Sequence, residues 1–267
     1  MNKLGLIAGN GIFPLEVAKA AHLHGCAVIA VAHSGETDPA LAALVDEITW
    51  IKVGELQRMI DAFKAAGVAQ AAMAGGISRA RLGSSFAPDA RALAMLARIG
   101  RFSDDAVLRG VASEIEGEGI AVIDPVPLLD NALVGAGVQA GPEPTAAQLN
   151  DLRIAFDVMR ALGPFDIGQT LALRDGVVGA IEAVEGTDAA LRRAATLCGK
   201  GLVVAKAAKP SQDLRFDRPA IGPATIELLG EIGAAVIGIE AHRAMILERE
   251  RSLELARRIA LTVYAYE

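Results

Sequence analysis

The chain has 267 residues, of which 52% are hydrophobic, 22% are charged and 4% are aromatic. This is the composition of a globular protein with a mainly aliphatic core, and it excludes a disordered chain. The formal net charge of −6 argues against nucleic-acid binding, which needs a cationic surface.

Short apolar runs alternate with helix-like segments in the first half of the chain. Residues 4–9 and 27–32 predict strands, and the segment between them predicts a helix that ends at Gly25. The same alternation continues as far as the strand "IAVID" before Pro125. Because these strands are continuously apolar, they predict a parallel sheet that is covered on both faces. We therefore expect a Rossmann-like N-terminal domain over residues 1–134.

A Gly- and Pro-rich segment at 135–148 interrupts this pattern, and we interpret it as an interdomain linker. Residues 149–267 then predict a C-terminal α/β domain. Its signals are a long helix ending at Leu162, a hairpin turn at Asp175-Gly176 and a terminal helix from about Ser252. The hairpin among helix–strand alternations predicts a mixed sheet, and this domain carries most of the catalytic candidates. The predicted fold is thus α/β with two domains.

The sequence shows no clear membrane helix, signal peptide or metal-binding cysteine pattern. No run approaches the roughly 18 apolar residues that a membrane helix needs, and the first residues do not have the pattern of a signal peptide. Cys26 and Cys198 lie far apart and outside any metal-binding spacing. We therefore expect a cytoplasmic protein with two free thiols.

Two glycine turns follow strands of the first domain. "AGNGIFP" comes after the first strand, and "AGGISRAR" comes after a later one. Glycine lets the backbone approach a ligand, and a helix start offers N–H groups to an anion. A tight turn without a ligand is the alternative. On the first interpretation, the residues that contact a nucleotide cofactor or phosphate are Gly9, Asn10, Gly11, Gly75 and Gly76.

Two acidic groups add to the candidates. Asp104 and Asp105 open a predicted helix, where one of them could simply act as the N-cap. Glu182, Glu185 and Asp188 lie in "AIEAVEGTDAALRR", with Glu182 on a predicted apolar strand. A carboxylate in such a strand is costly to bury unless it meets a metal, a cation or a ligand.

A proline-bracketed loop follows the strand "GLVVAKAA". Its sequence, "KPSQDLRFDRP", mixes cations, carboxylates and an amide. Surface ion pairs would be the simplest explanation, but they stabilise a protein little. Carboxylates that hold Mg²⁺ beside cations that neutralise phosphate would explain the mixture better. The candidates in this loop are Lys209, Gln212, Asp213, Arg215 and Asp217.

Taken together, these segments resemble the LpxI family, the UDP-2,3-diacylglucosamine pyrophosphatases of lipid A biosynthesis. The similarity extends over both halves of the chain in order. It rests on "GLIAGNGIFPLEVA", "DDAVLRGVA", "AIEAVEGTDAALRR", "AKPSQDLRFDRPAIGPATIE" and "GIEAH".

The resemblance implies metal-dependent hydrolysis of the substrate's diphosphate to UMP and 2,3-diacylglucosamine 1-phosphate (lipid X), with Mg²⁺ as cofactor and Mn²⁺ as an alternative. It also implies a catalytic set and a metal-binding set. The implied catalytic residues are Asp213, Asp217, Lys209, Arg215 and Gln212. The implied metal ligands are Asp213 and Asp217, with Glu182, Glu185 and Asp188 as second choices.

A lipid substrate also suggests contact with the inner membrane. Residues 78–102 carry Arg79, Arg81, Arg91, Arg98 and Arg101 against Asp89 alone. Such a cationic stretch could rest on anionic lipid, although a solvated helix face explains it equally well. We expect a cytoplasmic enzyme that contacts this membrane peripherally and binds no nucleic acid, with a homodimer as a further expectation.

Two other functions stay open at this point. The first glycine turn could belong to an NAD-type oxidoreductase, but Glu36 and Asp38 lie in a loop and not in a clean ribose-binding position after the second strand. A protein that binds a nucleotide-sugar or lipid without catalysis would carry the same binding residues and leave the diphosphate intact.

Overall fold

The computed structural model describes residues 2–78, 86–100, 103–130, 132–165, 167–209 and 212–267. The chain divides into two compact units. The N-terminal unit comprises Met1–Asp130 together with Asp213–Asp217, and the C-terminal unit comprises Asn131–Gln212 and Arg218–Glu267.

Five parallel strands form the sheet of the N-terminal unit, in the order β3-β2-β1-β4-β5. This order confirms the predicted Rossmann-like parallel sheet. The strands are β1 (Lys3–Ala8), β2 (Ala27–His33), β3 (Glu47–Ile51), β4 (Gln70–Ala74) and β5 (Ala121–Ile123). The helices are α1 (Phe13–Leu23), α2 (Leu56–Ala65), α3 (Ala90–Ile99) and α4 (Asp104–Glu116), and short 3₁₀ helices span Pro39–Leu44 and Val126–Leu128.

Strand β2 shows why the apolar runs are continuous. All seven of its residues are buried. Ile29 and Val31 belong to one core cluster, whereas Val28 and Ala30 belong to another. Successive side chains of a strand point to opposite faces, so the sheet has an apolar layer on each side.

The C-terminal unit contains a six-stranded mixed sheet in the order β6-β13-β11-β9-β7-β8. The three consecutive strands β13, β11 and β9 are parallel, whereas β6, β7 and β8 pair antiparallel, which confirms the predicted mixed sheet. The strands are β6 (Gly137–Ala140), β7 (Thr170–Arg174), β8 (Val177–Ile181), β9 (Val203–Lys206), β11 (Val236–Glu240) and β13 (Thr262–Tyr266).

The remaining elements of this unit complete its layers. A parallel pair, β10 (Ala220–Ile221) and β12 (Met245–Ile246), forms a separate small sheet. The helices are α5 (Ala146–Leu162), α6 (Thr187–Cys198), α7 (Pro223–Glu231) and α8 (Arg249–Arg258), and a 3₁₀ helix spans Gly163–Phe165.

Two features of the C-terminal unit differ from the sequence interpretation. The segment 135–148 is not a linker throughout, because Gly137–Ala140 forms the edge strand β6 and α5 begins at Ala146. The chain also does not finish with a helix, because β13 follows α8 and lies inside the sheet. The glycines of this segment suggested a linker, but Gly141 has a packing role. A Cβ there would lie 2.2 Å from the Leu261 carbonyl oxygen, so this turn packs directly on backbone.

The segment Asp213–Asp217 also corrects the predicted domain assignment. The sequence places it in the C-terminal domain, but its contacts place it in the N-terminal unit. Phe216 is 9% exposed and joins an N-terminal core cluster that includes Ile115 and Val122. The physical reason is that the aromatic ring of Phe216 is buried in the N-terminal core. This burial stabilises the loop there, although the residues on either side of the loop belong to the C-terminal unit.

Among the described residues, none of the helices is long and apolar enough to cross a membrane. Cys26 and Cys198 are both free and half-buried.

Candidate functional site

The two glycine turns lie side by side at the carboxyl ends of β1 and β4. The N–H of Gly9 donates to the Ala74 carbonyl at 2.8 Å, and the N–H of Asn10 donates to the Gly76 carbonyl at 2.8 Å. A Cβ on Gly9 would lie 2.3 Å from the Gly76 oxygen, and one on Gly75 would lie 2.2 Å from the Asn10 oxygen. Gly9 and Gly75 are therefore needed for backbone packing, whether or not a ligand binds.

The other glycines of these turns have different constraints. Gly11 has a φ of +81°, a conformation that favours glycine, and a Cβ there would contact nothing within 4 Å. Gly76 is exposed, and the nearest atom to a Cβ there would be Asn10 Oδ1 at 3.5 Å. Packing therefore leaves room for a side chain at Gly76, and this is the glycine whose position is easiest to explain by ligand approach.

Glu36 ties the first turn to the second. It is 7% exposed, and its Oε2 accepts hydrogen bonds from Asn10 Nδ2 at 3.1 Å and from the N–H of Ser78 at 3.0 Å. A buried carboxylate is stable when it accepts such bonds. Sequence reasoning treated Glu36 only as a loop residue, whereas the structure makes it the anchor of both turns.

Asp105 has a role that its position as a helix-start residue did not reveal. Ser103, and not an aspartate, is the N-cap of α4. Asp105 Oδ2 accepts from Arg109 Nε at 2.7 Å, and its Oδ1 accepts from the N–H of Asp213 at 3.2 Å. The carboxylate therefore holds the segment Asp213–Asp217 against α4.

Arg215 and Asp213 pair with each other inside this segment. The Asp213 carboxylate accepts from Arg215 Nε at 3.1 Å and from Nη2 at 2.9 Å, which is a two-bond pairing. Arg215 Nη1 also donates to Glu116 at 2.9 Å and to the Val122 carbonyl at 3.2 Å. The guanidinium carbon lies 5.5 Å from the centre of the Phe216 ring.

These contacts fix the charges of the pair. Hydrogen bonding to Arg215 lowers the pKa of Asp213, and hydrogen bonding to Asp213 raises the pKa of Arg215. Asp213 is therefore ionised at neutral pH. Asp217 lies in the same turn, where its N–H donates to the Asp213 carbonyl at 3.1 Å.

Glu182 lies in the C-terminal unit, one residue beyond the end of β8 and not on the strand as predicted. Its N–H still donates to the Thr170 carbonyl at 2.9 Å. Its Oε1 accepts from Thr187 Oγ1 at 2.9 Å, whereas its Oε2 is buried and has no hydrogen-bond partner among the described residues. Leaving a buried carboxylate oxygen unpaired is costly, and a cation or a hydrogen-bond donor beside it would offset that cost.

The other two acids of this stretch have ordinary surroundings. Glu185 accepts a hydrogen bond from Arg193 Nη2 at 2.7 Å, and this bond lowers the pKa of Glu185. Asp188 is exposed in the first turn of α6, where a negative charge favours the helix.

Two glutamines, one just before β7 and one in the loop after β9, carry further unpaired side-chain atoms. Gln212 is 7% exposed, and its Nε2 has no partner among the described residues; the same holds for the buried Oε1 of Gln169. Gln169 precedes β7, and its carbonyl accepts from the N–H of Ala207, which follows β9. Sequence reasoning selected Gln212 and missed Gln169, because a neutral amide before a strand belongs to no motif.

Lys209 and Gln212 form a turn of their own. The N–H of Lys209 donates to Gln212 Oε1 at 2.8 Å, and the N–H of Gln212 donates to the Lys209 carbonyl at 3.1 Å. This closes the loop and fixes the orientation of the Gln212 amide, so that its Nε2 is the end without a partner among the described residues.

The five predicted metal ligands divide between the units. Asp213 and Asp217 belong to the N-terminal unit, and Glu182, Glu185 and Asp188 belong to the C-terminal unit. Within the described parts of the chain, no group of three or more His, Cys, Asp or Glu side chains is arranged to hold a metal ion.

The arginines of residues 78–102 are largely engaged in ion pairs where they are described. Arg91 binds Glu114 at 2.6 Å and Glu118 at 2.7 Å, and Arg98 also pairs with Glu114. These pairs connect α3 to α4 and the residues just after it. Arg79, Arg81 and Arg101 lie outside the described residues.

Comparison with known proteins identifies the family. The family model for the LpxI N-terminal domain matches residues 3–132, and the model for the LpxI C-terminal domain matches residues 135–264. The chain belongs to the LpxI family. A Caulobacter vibrioides member, UDP-2,3-diacylglucosamine pyrophosphatase LpxI, is 36% identical over 274 residues, which cover 98% of this chain and 97% of the relative. The resemblance inferred from the sequence is confirmed.

Two solved enzymes are distantly similar to this LpxI chain. Phosphoribosylglycinamide synthetase from Anaerococcus prevotii matches 65% of this chain and 31% of its own, with 17% identity and a TM-score of 0.28. The biotin carboxylase domain of Hydrogenobacter thermophilus 2-oxoglutarate carboxylase matches 74% of this chain and 42% of its own, with 16% identity and a TM-score of 0.31.

Proposed function

We propose that this LpxI family member hydrolyses the diphosphate of UDP-2,3-diacylglucosamine, yielding UMP and 2,3-diacylglucosamine 1-phosphate in lipid A biosynthesis. The observation that carries this proposal is the full-length similarity, 36% identity over 98% of the chain, to a UDP-2,3-diacylglucosamine pyrophosphatase. Neither oxidoreductase chemistry nor binding without catalysis gains a comparable observation.

The reaction breaks one phosphoric anhydride bond. The oxygen of a water molecule bonds to one phosphorus, the bridging P–O bond breaks, and about two protons are released at neutral pH, one from each phosphate monoester that forms. Negative charge builds on the leaving phosphate, so cationic and hydrogen-bonding groups near it lower the barrier. Lys209 and the amide of Gln212 are the groups of the C-terminal unit that we assign to this task.

Asp213 is better suited to orienting than to proton abstraction. Its pKa is lowered by Arg215, and a general base works best when its pKa lies near the working pH. The Arg215 guanidinium already donates hydrogen bonds to Asp213, to Glu116 and to the Val122 carbonyl. We therefore assign to Arg215 the positioning of Asp213, and we assign to Asp217 the orientation of the attacking water.

The residues of the C-terminal unit fit a divalent cation at Glu182. Mg²⁺ is often held by only one or two carboxylates together with substrate phosphates, so a three-acid cluster is not required. The buried, unpaired Oε2 of Glu182 is a ligand atom of the right chemistry. A bound Mg²⁺ or Mn²⁺ would supply positive charge to the diphosphate.

The test of the function is incubation of the protein with UDP-2,3-diacylglucosamine in ¹⁸O-labelled water, followed by mass analysis of the products. We expect UMP and the lipid 1-phosphate, with ¹⁸O in only one of them. The labelled product identifies the phosphorus that is attacked. An intact substrate after long incubation with Mg²⁺ or Mn²⁺ would contradict the proposal.

Glu182→Gln and Glu185→Gln form a matched pair that tests the cation site. Both change one carboxylate to an amide in the same stretch, but only Glu182 has a buried, unpaired oxygen. We expect Glu182→Gln to weaken Mn²⁺ binding, measured by calorimetry, and to reduce hydrolysis by about 100-fold or more. Glu185→Gln should leave both near the wild-type values; equal losses in the two variants would count against a site at Glu182.

We also propose peripheral contact with the inner membrane and a homodimer. The substrate carries two acyl chains, so the enzyme must meet it at a lipid surface or in a lipid dispersion. Arg91 and Arg98 add no support for electrostatic contact, because acidic side chains of the same unit already pair with them. Sedimentation with anionic vesicles and light scattering test these two points.

A further inference from the structure

An open cleft of about 810 Å³ lies on the N-terminal unit at the carboxyl ends of β1, β2 and β3. Its lining includes Asn10, Gly11, Ser34, Glu36, Asp38 and Trp50. Its volume falls within the range of small-molecule sites, about 300–1,000 Å³. In a doubly wound sheet, ligands bind outside the carboxyl ends of the strands, which is where this cleft lies.

Trp50 supplies the aromatic surface of the cleft. It is a half-buried residue of β3, in register with Ala32 of β2. It is also the one tryptophan in a chain with only 4% aromatic residues. Bases stack on aromatic side chains with little dependence on base identity, so the indole ring is a suitable platform for a nucleobase.

The polar groups of the cleft divide into those already used and those still available. Glu36 Oε2 is held by Asn10 and Ser78, and the Thr37 hydroxyl bonds the Ala8 carbonyl at 2.6 Å. Asp38 is exposed, and its Oδ1 accepts from the N–H of Ala40 at 2.8 Å. Its second oxygen has no hydrogen-bond partner among the described residues, so it can accept a hydrogen bond from a hydroxyl of a ligand.

The charge of the cleft decides which part of a nucleotide it can accept. Of the described residues that line it, two are acidic and none is a lysine or an arginine. A diphosphate would be repelled by Glu36 and Asp38 without any compensating cation. A nucleoside is uncharged, and its ribose hydroxyls can donate to a carboxylate.

We infer that this cleft is the nucleoside subsite, in which Trp50 stacks on the uracil and Asp38 accepts from a ribose hydroxyl. The inference rests on the proposed function, which supplies the uridine. It also revises the expectation for the first glycine turn, because Asn10 and Gly11 then border the nucleoside and not the phosphates. A second cleft, of about 510 Å³, lies on the C-terminal unit; it has Arg257 but no aromatic side chain, so it offers no platform for a base.

Tryptophan fluorescence tests this directly, because every indole signal comes from residue 50. We expect UMP to change the emission of the full-length protein in a saturable way, with the same Kd by calorimetry. Ribose 5-phosphate lacks the base and should leave the emission unchanged. Trp50→Ala should raise the Kd for UMP about tenfold or more, whereas Trp50→Phe should restore most of the affinity.

Asp38→Asn gives a second test, because an asparagine oxygen can still cap the 3₁₀ helix while the charge is lost. We expect UMP to bind more weakly to this variant, with a smaller loss for 2′,3′-dideoxy-UMP. Circular dichroism confirms that each variant is folded.

Two results would overturn the inference: UMP binding by calorimetry without a change in Trp50 emission, or no UMP binding at millimolar concentration. If either occurs while UDP-2,3-diacylglucosamine is still hydrolysed, the subsite fails and the proposed function stands. If UMP binds at Trp50 but the lipid substrate stays intact, the proposed function fails and the subsite stands.

Discussion

Replacing Arg215 by lysine should loosen the segment Asp213–Asp217 in the N-terminal unit. Lysine keeps the positive charge, but it cannot make the two-bond pairing with Asp213 and reach Glu116 and the Val122 carbonyl as well. A hydrogen bond to a charged group is worth about 1.5–3 kcal/mol. An exposed ion pair such as Arg215–Glu116 is worth only about 0.2–1 kcal/mol.

The expected loss follows from these contacts. The Arg215 side chain is 40% exposed, so solvent screening reduces the value of each contact. Since lysine retains one of them, we expect the free energy of unfolding to fall by about 2 kcal/mol. Hydrolysis should fall by about 100-fold, because a displaced Asp213 no longer orients the reacting groups.

Urea unfolding followed by Trp50 fluorescence measures this change in the correct unit, since Trp50 lies in β3. Arg58→Lys is the matched control, because Arg58 lies in the same unit, pairs with Glu55 at 3.3 Å and has a side chain that is 57% exposed. That variant should lose less than about 0.5 kcal/mol. If Arg215→Lys is as stable and as active as Arg58→Lys, the positioning role of Arg215 is refuted.

Two further predictions concern the N-terminal unit. Gly9→Ala should destabilise it by about 1–3 kcal/mol, because a Cβ would lie 2.3 Å from the Gly76 oxygen. Gly76→Ala should be tolerated, because the nearest atom to its Cβ would be Asn10 Oδ1 at 3.5 Å. Similar urea midpoints for the two variants would contradict this packing. Burial lowers the pKa of His33 below its usual 6.5, so as the pH falls through that value the unfolded chain binds a proton before the folded chain does. The free energy of unfolding should therefore decrease from about pH 7.5 to 5.5, by at most about 1.4 kcal/mol per unit from this group, and a His33→Gln variant should show a smaller decrease in the same urea titration.

Much of the architecture could be predicted because buried strands have a continuously apolar sequence that is easy to recognise. The continuous apolar residues of β1 and β2 indicated a parallel sheet with two covered faces, and the structure has that sheet. An edge strand is harder to recognise. Only one of the four residues of Gly137–Ala140 is buried, and the strand lies among glycines, so its sequence resembles a loop.

The site was predictable in composition but not in arrangement. Sequence patterns selected Asp213 and Arg215, but they could not show that these residues pair with each other. That pairing depends on Glu116 and Val122, about 100 positions earlier in the chain. One signal was present in the charged loop: Phe216 is an aromatic residue in an aromatic-poor chain, and such a ring usually needs a core to pack in.

The placement of Asp213–Asp217 has a consequence for how this protein is made. The N-terminal core contains a ring that is translated only after most of the C-terminal half. A nascent chain that has emerged only as far as residue 130 therefore has an incomplete hydrophobic layer, and cutting the gene at the boundary between the two family models would leave that layer open to water. The first unit can complete its core only after Phe216 has been synthesised.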